Sequence, residues 1–454
     1  MKRVKNAKFC AIIIVLLLLA FVFTPYASSA LVSSVTIGSQ GRITTDVYAA
    51  SGYPNDIQAA VNQVAAAGGG TVQVPAGIFY WNGETVNIPS GVNVIGASPA
   101  GCKGHEDGWE SYTATTILHN NDAPTASHAY ASMFYISGGH KPTRIANIQF
   151  EATPPSSAAN ENPNCGAAII MRQVYDFRID HCTFINFCNT AVACTANDGN
   201  NPVATCYGVI DHCVCTNPYK LTVGSEDWLW GYGFYSIGNV RYDDENTVHA
   251  GSSAWNPDIT NYYGQYGAVA GSTIMYIEDC HMSLNRHAFD AIQGGFYCAR
   301  YNLIDYPACE YTAGSIDAHG TTAGWASNRG MEVYNNTVYG AANNKTPWNT
   351  NYYSLAVQLR DGSALVYANN FICDTNSAYN YFINLQNDDT GNVLPFTHVS
   401  STYIWSNSYV NCSGFGNSGG YTENVNYFLR APNQAQDGFT YTPYVYPNPR
   451  TTQP

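Results

Sequence analysis

Two short stretches gather residues that could do chemistry. "SLNRHAFDA" (283–291) carries Arg286, His287 and Asp290, and "GSIDAHG" (314–320) carries Asp317 and His319. The chain has only 11 His, and 11% of its residues are charged, so this is a dense use of scarce groups. If the stretches meet in space, two reactions suit them. Elimination from a uronate needs a base for the proton α to the carboxylate, and a cation or guanidinium to hold that carboxylate. His287 or His319 would be the base, and Arg286 or Arg300 the clamp. Calcium would fit at Asp290, Asp317 or the acidic run "YDDEN", with Asp243, Asp244 and Glu245. Hydrolysis instead needs two carboxylates flanking the glycosidic bond. Asp290 and Asp317 are that pair, with His319 tuning one of them. Arg329 and Glu332 could border the same surface. The same residues would also serve as a metal site of His287, His319 and an Asp, or as an ion-pair network that pins a loop without catalysis.

Aromatic residues give a second signal. Residues 227–266 contain "DWLWGYGFYSIGNVRYDD" and "AWNPDITNYYGQYG", rich in Trp and Tyr and thin in aliphatics. Exposed rings stack on sugar faces at little entropic cost, which makes Trp228, Trp230, Tyr232, Tyr235 and Trp255 candidate glycan-binding residues. The plainer reading is that these rings pack a loop onto the body. "NNKTPWNTNYYS" (343–354) is similar, and N-x-S/T sequons occur at Asn335, Asn344 and Asn411.

The rest of the chain must position these groups. Residues 1–30 combine a basic start, "MKRVKNAK", with the apolar run "CAIIIVLLLLAFVF" and the small residues "YASSA". They read as a secretory signal peptide cut after Ala30, the alternative being an uncleaved anchor. The mature chain is then exported, free or attached to the surface. Cleavage leaves 15 Lys and Arg against 32 Asp and Glu, a net charge of −17. Such a surface excludes nucleic acid as a partner, and an acidic glycan would need a local Arg cluster or a bridging cation. Thirteen Cys remain of 14, read as core or disulfide residues with at least one thiol left over. With 35 Tyr, 40 Gly and few helix formers, the composition is that of a β-rich chain with many turns.

One amphipathic helix is evident. "NDIQAAVNQVAAAGGG" places Ile57, Val61 and Val64 on one face over 55–67 and ends at Gly68–Gly70. Short strands follow, and they repeat. "RIANIQF", "RIDHCTF", "VIDHCVC", "YIEDCHM", "CARYNLI", "MEVYNNTV" and "LVYANNFI" share a frame: apolar, a polar turn residue two later, Cys or Asn three later, apolar five later. The frame starts at Ile145, Ile179, Ile210, Ile277, Ala299, Val333 and Tyr367, with steps of 34, 31, 67, 22, 34 and 34. The long step fits two turns, one of them around Ile237. This period, built of strands without helices, predicts a parallel β-helix whose equivalent positions stack about 4.8 Å apart. One column would read Asn147, His181, His212, Asp279, Tyr301, Asn335, Asn369, and the next Ile148, Cys182, Cys213, Cys280, Asn302, Asn336, Asn370. His181 and His212 are then turn residues. The expected domain is 31–430 with the helix as its N-terminal cap, followed by a Pro- and Tyr-rich tail, 431–454, lying on the body.

"YPNDIQAAVNQVAAAGGGTVQVPAGIFYWNGETVNIPSGVNVIGAS" resembles the entry segment of pectate-lyase-like right-handed β-helix proteins, over about 45 residues. The resemblance implies an all-β right-handed parallel β-helix and leaves activity open, because that superfamily holds lyases, hydrolases, tailspikes and non-catalytic adhesins. "NRHAFDAIQGGFYCARYN" with "IDAHG" is also similar to a set of β-helix proteins without assigned chemistry. Neither the stacked-Asp calcium site with an Arg base of pectate lyases nor the polygalacturonase signatures is present; the "DD" pairs at Asp243 and Asp388 fall in apparent loops. If "LIDYPACEYTAG" bulges outward, Asp317 and His319 fall on the same side as Arg286 and His287, one coil up and about 5–8 Å away. The expectation is a secreted β-helix protein that binds and cleaves an extracellular polysaccharide, by uronate-type elimination ahead of hydrolysis. The alternative is a non-catalytic glycan-binding, adhesion or structural surface protein.

Overall fold

The computed structural model describes residues 31–37, 43–121, 132–139, 141–153, 166–187, 189–195, 206–216, 231–238, 274–305, 315–320, 328, 330–340, 355–373, 381–387, 398–412 and 414–452. Residues 1–30 lie outside them. Among the described residues no helix is long and apolar enough to cross a membrane.

Each coil contributes one short strand to each of three parallel walls. In the first wall Val94, Ile145, Ile179, Ile210, Ile277, Ala299, Val333, Val366 and Ile404 pair in register from coil to coil. In the second, Leu118, Phe150, Phe184 and Cys215 do the same. In the third, Phe134, Ile169, Val192, Phe234, Phe289, Ile316 and Val357 do so. All these columns point inward and merge in one continuous apolar core. Alternation along a strand then turns the residues between them outward. The strand Ala167–Asp180 runs from the third wall into the first. It turns the corner at Gln173 and Asp176, which have positive φ.

The step from Ile210 to Ile277 is one turn, not two, since Ile210 pairs directly with Ile277. Ile237 belongs to the third wall, between Thr195 and Ile292. The step therefore adds one coil, and residues 217–230 and 239–273 lie outside the described residues.

The corner between the first and second walls explains the repeated frame. Its first residue is left-handed in each coil, with φ of 63° at Asn147, 50° at His181, 53° at His212, 56° at Asp279, 55° at Tyr301, 56° at Asn335 and 54° at Ala368. Polar side chains tolerate that region best, so the frame shows Asn, His or Asp there. The coil whose frame is read from Tyr367 therefore starts one residue earlier, at Val366, and a further coil follows from Ile404. Ala368 holds the turn position, and the apolar side chain there disguised it.

The next position is an internal ladder. The thiols of Cys182, Cys213 and Cys280 donate to the carbonyls two residues before them, each at 3.3 Å. Asn302, Asn336, Asn369 and Asn407 continue the column as amides, each Nδ2 donating to the next Oδ1 at 2.9 to 3.0 Å. Asn369, not Asn370, is thus the ladder residue. Cys182, Cys213 and Cys280 are thus core thiols of the ladder, not half-cystines.

The helix Pro54–Ala66 buries Ile57, Ala60, Val61 and Val64 in the same core as Val47 and Val72 of the first coils. At the other end the chain returns along the outside of the first wall. Phe439 meets Tyr403, Tyr441 donates to Glu332, and Tyr446 donates to Asp279 and stacks on Tyr301. The Asn448 amide donates to Glu278, and Arg450 reaches Asp176.

Candidate functional site

The site lies on the outer face of the third wall. Its strands Tyr232–Ile237, Phe289–Ile292, Ile316–Ala318 and Leu355–Leu359 are neighbours in consecutive coils. Phe289 and Ala291, and Ile316 and Ala318, point into the core. The pleat therefore turns Asp290 and Asp317 outward. Register places Tyr235 beside Asp290, Asp290 beside Asp317, and Asp317 beside Gln358. Two carboxylates thus stand one strand spacing apart.

Their surroundings differ. Arg360, two residues past Gln358 on the same face, bonds Asp317 through both oxygens: Nε to Oδ1 at 3.3 Å, and Nη2 to Oδ2. A guanidinium fork of this kind offsets the charge of Asp317. The carboxylate of Asp290 is wholly buried, and neither oxygen makes a hydrogen bond. Burial, and then the charge of Asp317, push its pKa well above the usual carboxylate range, although the positive charges of Arg360 and Arg286 pull the other way. His287 faces Asp317, with Nε2 3.7 Å from Oδ2, and its ring lies 4.9 Å from that of Tyr232. Ligand atoms of His287, Asp290 and Asp317 all lie within 4.8 Å of one another.

Those three groups form a floor with no exposed surface. Partly exposed residues rim it. Arg286 lies over the Tyr232 ring at 5.8 Å, and its buried Nε has no hydrogen-bond partner. His319 follows the Asp317 strand, its Nδ1 donating to the Gly320 carbonyl at 3.1 Å. Burial, and then Arg360, push its pKa down to about 3, so the ring is neutral. Arg360 completes the rim.

Arg286, His287, Asp290, Asp317 and His319 are therefore together. Arg300 is not. Its strand, Phe296–Arg300, belongs to the first wall, and its side chain is fully buried there. It pairs with Glu278 at 2.7 Å and donates to the Tyr334 hydroxyl and the carbonyls of Tyr444 and Val445. It holds the tail and cannot serve the site. Glu332 also belongs to the first wall, under Tyr441. Tyr232 and Tyr235, expected as loop rings, are strand residues only 4% exposed, with rings 5.1 Å apart, so they line the cluster and offer no stacking platform. Trp228, Trp230, Trp255, Asp243, Asp244, Glu245, Arg329 and Asp388 lie outside the described residues.

Arg360 and Gln358 escaped the sequence reading. The signal was available: "DAI", "DAH" and "QLR" repeat one outer-face spacing in successive coils, Asp290-x-Ile292, Asp317-x-His319 and Gln358-x-Arg360.

No family model and no curated protein sequence matches the chain. Solved structures with a similar course of chain include an alginate lyase from Paenibacillus sp. str. FPU-7, at 12% identity and TM-score 0.48, covering 82% of this chain and 98% of that one. They also include the tailspike of E. coli bacteriophage HK620, at 14% identity and TM-score 0.43, covering 82% of this chain and 56% of that one. A third is the catalytic domain of a GH87 alpha-1,3-glucanase, at 11% identity and TM-score 0.37, covering 88% of this chain and 70% of that one. The architecture rests on the coils themselves. Three walls of parallel strands, paired in register from coil to coil around one apolar core, make this chain a parallel β-helix.

Proposed function

We propose that this protein is exported behind residues 1–30 and that it binds and cleaves an acidic, uronate-containing polysaccharide at the outer face of the third wall. The helix Pro54–Ala66 would cap the solenoid. One observation supports the reaction: Tyr232, Arg286, His287, Asp290, Asp317, His319 and Arg360 converge on that face from consecutive coils. In this reading the substrate meets the rim. Arg286, with an unsatisfied Nε, clamps the uronate carboxylate and stabilises the charge that builds on it as the α proton leaves. The neutral imidazole of His319 takes that proton. The phenol of Tyr232, kept protonated by burial, is the candidate donor to the departing sugar oxygen. Polysaccharide-active neighbours of the same fold fit this reading but do not carry it.

A second reading rests on the unequal carboxylates. Asp290 holding a proton beside an Arg-paired Asp317 is the arrangement of an acid and a base for hydrolysis. One experiment separates the two: a panel of uronate and neutral polysaccharides, read by ultraviolet absorbance for unsaturated uronates and by new reducing ends. Elimination gives both signals, and both should vanish in Arg286→Ala and His319→Ala. Reducing ends without absorbance would mean hydrolysis. No product from folded protein across the panel would overturn both and favour non-catalytic glycan binding.

A further inference from the structure

The floor of the site raises a question that the rim does not answer. A carboxylate in a closed interior is held there by hydrogen bonds, a counter-charge or a metal. Asp290 has neither oxygen hydrogen-bonded and no exposed surface, and the nearest acidic group, Asp317, is already spanned by Arg360. The side of Asp317 away from Arg360 is shared with His287, whose Nε2 lies 3.7 Å from Oδ2. We infer that His287, Asp290 and Asp317 form a binding site for one transition-metal dication of the zinc type.

The geometry suits such an ion. Bonds of about 2.0–2.2 Å from zinc to nitrogen and oxygen place ligand atoms roughly 3.3–3.6 Å apart in a tetrahedral shell, somewhat tighter than the span of no more than 4.8 Å seen here. Small side-chain rotations close the difference. The donor set points the same way. One imidazole with two carboxylates suits zinc and its neighbours, whereas calcium takes six to eight oxygens and a looser shell. The sequence expectation of calcium at Asp290 and Asp317 is therefore replaced by a smaller, borderline-soft ion at the same two carboxylates with His287 added. Arg360 then fixes the orientation of Asp317 by bonding both of its oxygens, the support that carboxylate ligands of metals generally receive. Three protein ligands leave a position for water or a substrate oxygen. The inference does not depend on the reaction, although a metal here would claim both carboxylates and rule out the hydrolytic reading.

The test uses the full chain, stripped with a chelator and titrated calorimetrically with zinc, manganese and calcium chlorides. The expected result is one equivalent of zinc and a raised melting temperature, with calcium far weaker. Asp290→Asn should weaken zinc at least about a hundredfold. His281→Gln, which alters the separate surface pair with Asp305, should leave zinc binding unchanged. If Asp290→Asn does not fold, cobalt in the wild-type chain gives the answer: X-ray absorption should show one nitrogen among oxygen donors. Absence of binding to folded wild type, equal binding by Asp290→Asn, a preference for calcium, or a cobalt shell without nitrogen would each overturn the inference. Polysaccharide cleavage is scored separately, so a failed titration leaves the functional reading standing on its own assay.

Discussion

Arg360 grips Asp317 from the following coil, and Asp290, one strand before Asp317, has no such partner. The asymmetry makes Arg360 a keystone of the cluster. Arg360→Ala would leave two buried carboxylates side by side without compensation. Removing one member of a buried pair costs about 3–5 kcal/mol, and the partial exposure of Arg360 favours the lower end. Chemical denaturation in the presence of chelator should show this loss, and Arg360→Ala with Asp317→Asn should recover most of it. A single-variant loss below about 1 kcal/mol would show the pair to be unimportant to stability.

The amide ladder should weaken toward its end. Asn336 donates to the carbonyls of Ala299 and Tyr334 and to Asn369, and accepts from the Asn302 amide and side chain. Asn336→Ala orphans several buried groups at about 1–3 kcal/mol each, so a loss of roughly 3 kcal/mol or more is expected. Asn407 ends the ladder and is partly exposed. Asn407→Ala should cost about 1 kcal/mol. Equal losses at both positions would contradict a ladder whose strength comes from enclosure.

Ala368 is a stabilisation target. It holds φ of 54° on an exposed corner where most other coils have a polar residue. A left-handed alanine costs about 1–2 kcal/mol, and asparagine relieves part of that. Ala368→Asn should raise the melting temperature, with a gain on the order of 0.5–1 kcal/mol. An unchanged or lower melting temperature would mean that the corner is not strained.

Glu332 should make stability fall with rising pH. Burial raises its pKa from 4.5 to about 7, against the lowering effect of the Tyr441 hydroxyl. The folded chain then holds this proton more tightly than the unfolded chain. Its contribution is full below about pH 4.5 and is lost as pH rises toward about 7. Glu332→Gln should remove that part of the slope and stabilise the protein at pH above 7 by up to a few kcal/mol. Denaturation midpoints measured across this window in both proteins decide the point, and parallel slopes would refute it.

The fold was legible because a solenoid repeats its local physics. A left-handed corner followed by a small buried donor recurs as His-Cys or Asn-Asn, and the reader needs only the spacing. It slipped where Ala368 stood in for a polar residue, and where the 67-residue step from Ile210 to Ile277 was long enough to suggest two turns. The site was legible only in part. Asp290 and Asp317 could be placed together because they sit at equivalent points of adjacent coils. Arg300 seemed to belong with them by sequence proximity, yet the chain turns a corner between Ile292 and Phe296, and that corner sends Arg300 to another wall. Arg360 was missed because its coil lies past a stretch whose length gives no hint of register, which left the short repeat Asp-x-Ile, Asp-x-His, Gln-x-Arg as the sole sign of its place.

The returning tail changes how the protein comes apart. Coils that touch only their neighbours tend to peel away one at a time. Here Phe439, Tyr441, Tyr446, Asn448 and Arg450 run back from the Tyr403 coil to Asp176, splinting the intervening coils. No coil beneath the splint can detach without lifting it. This returning segment thus turns a stack of nearest-neighbour units into a single cooperative block, and the coils without it would keep their pairing but not the cooperativity.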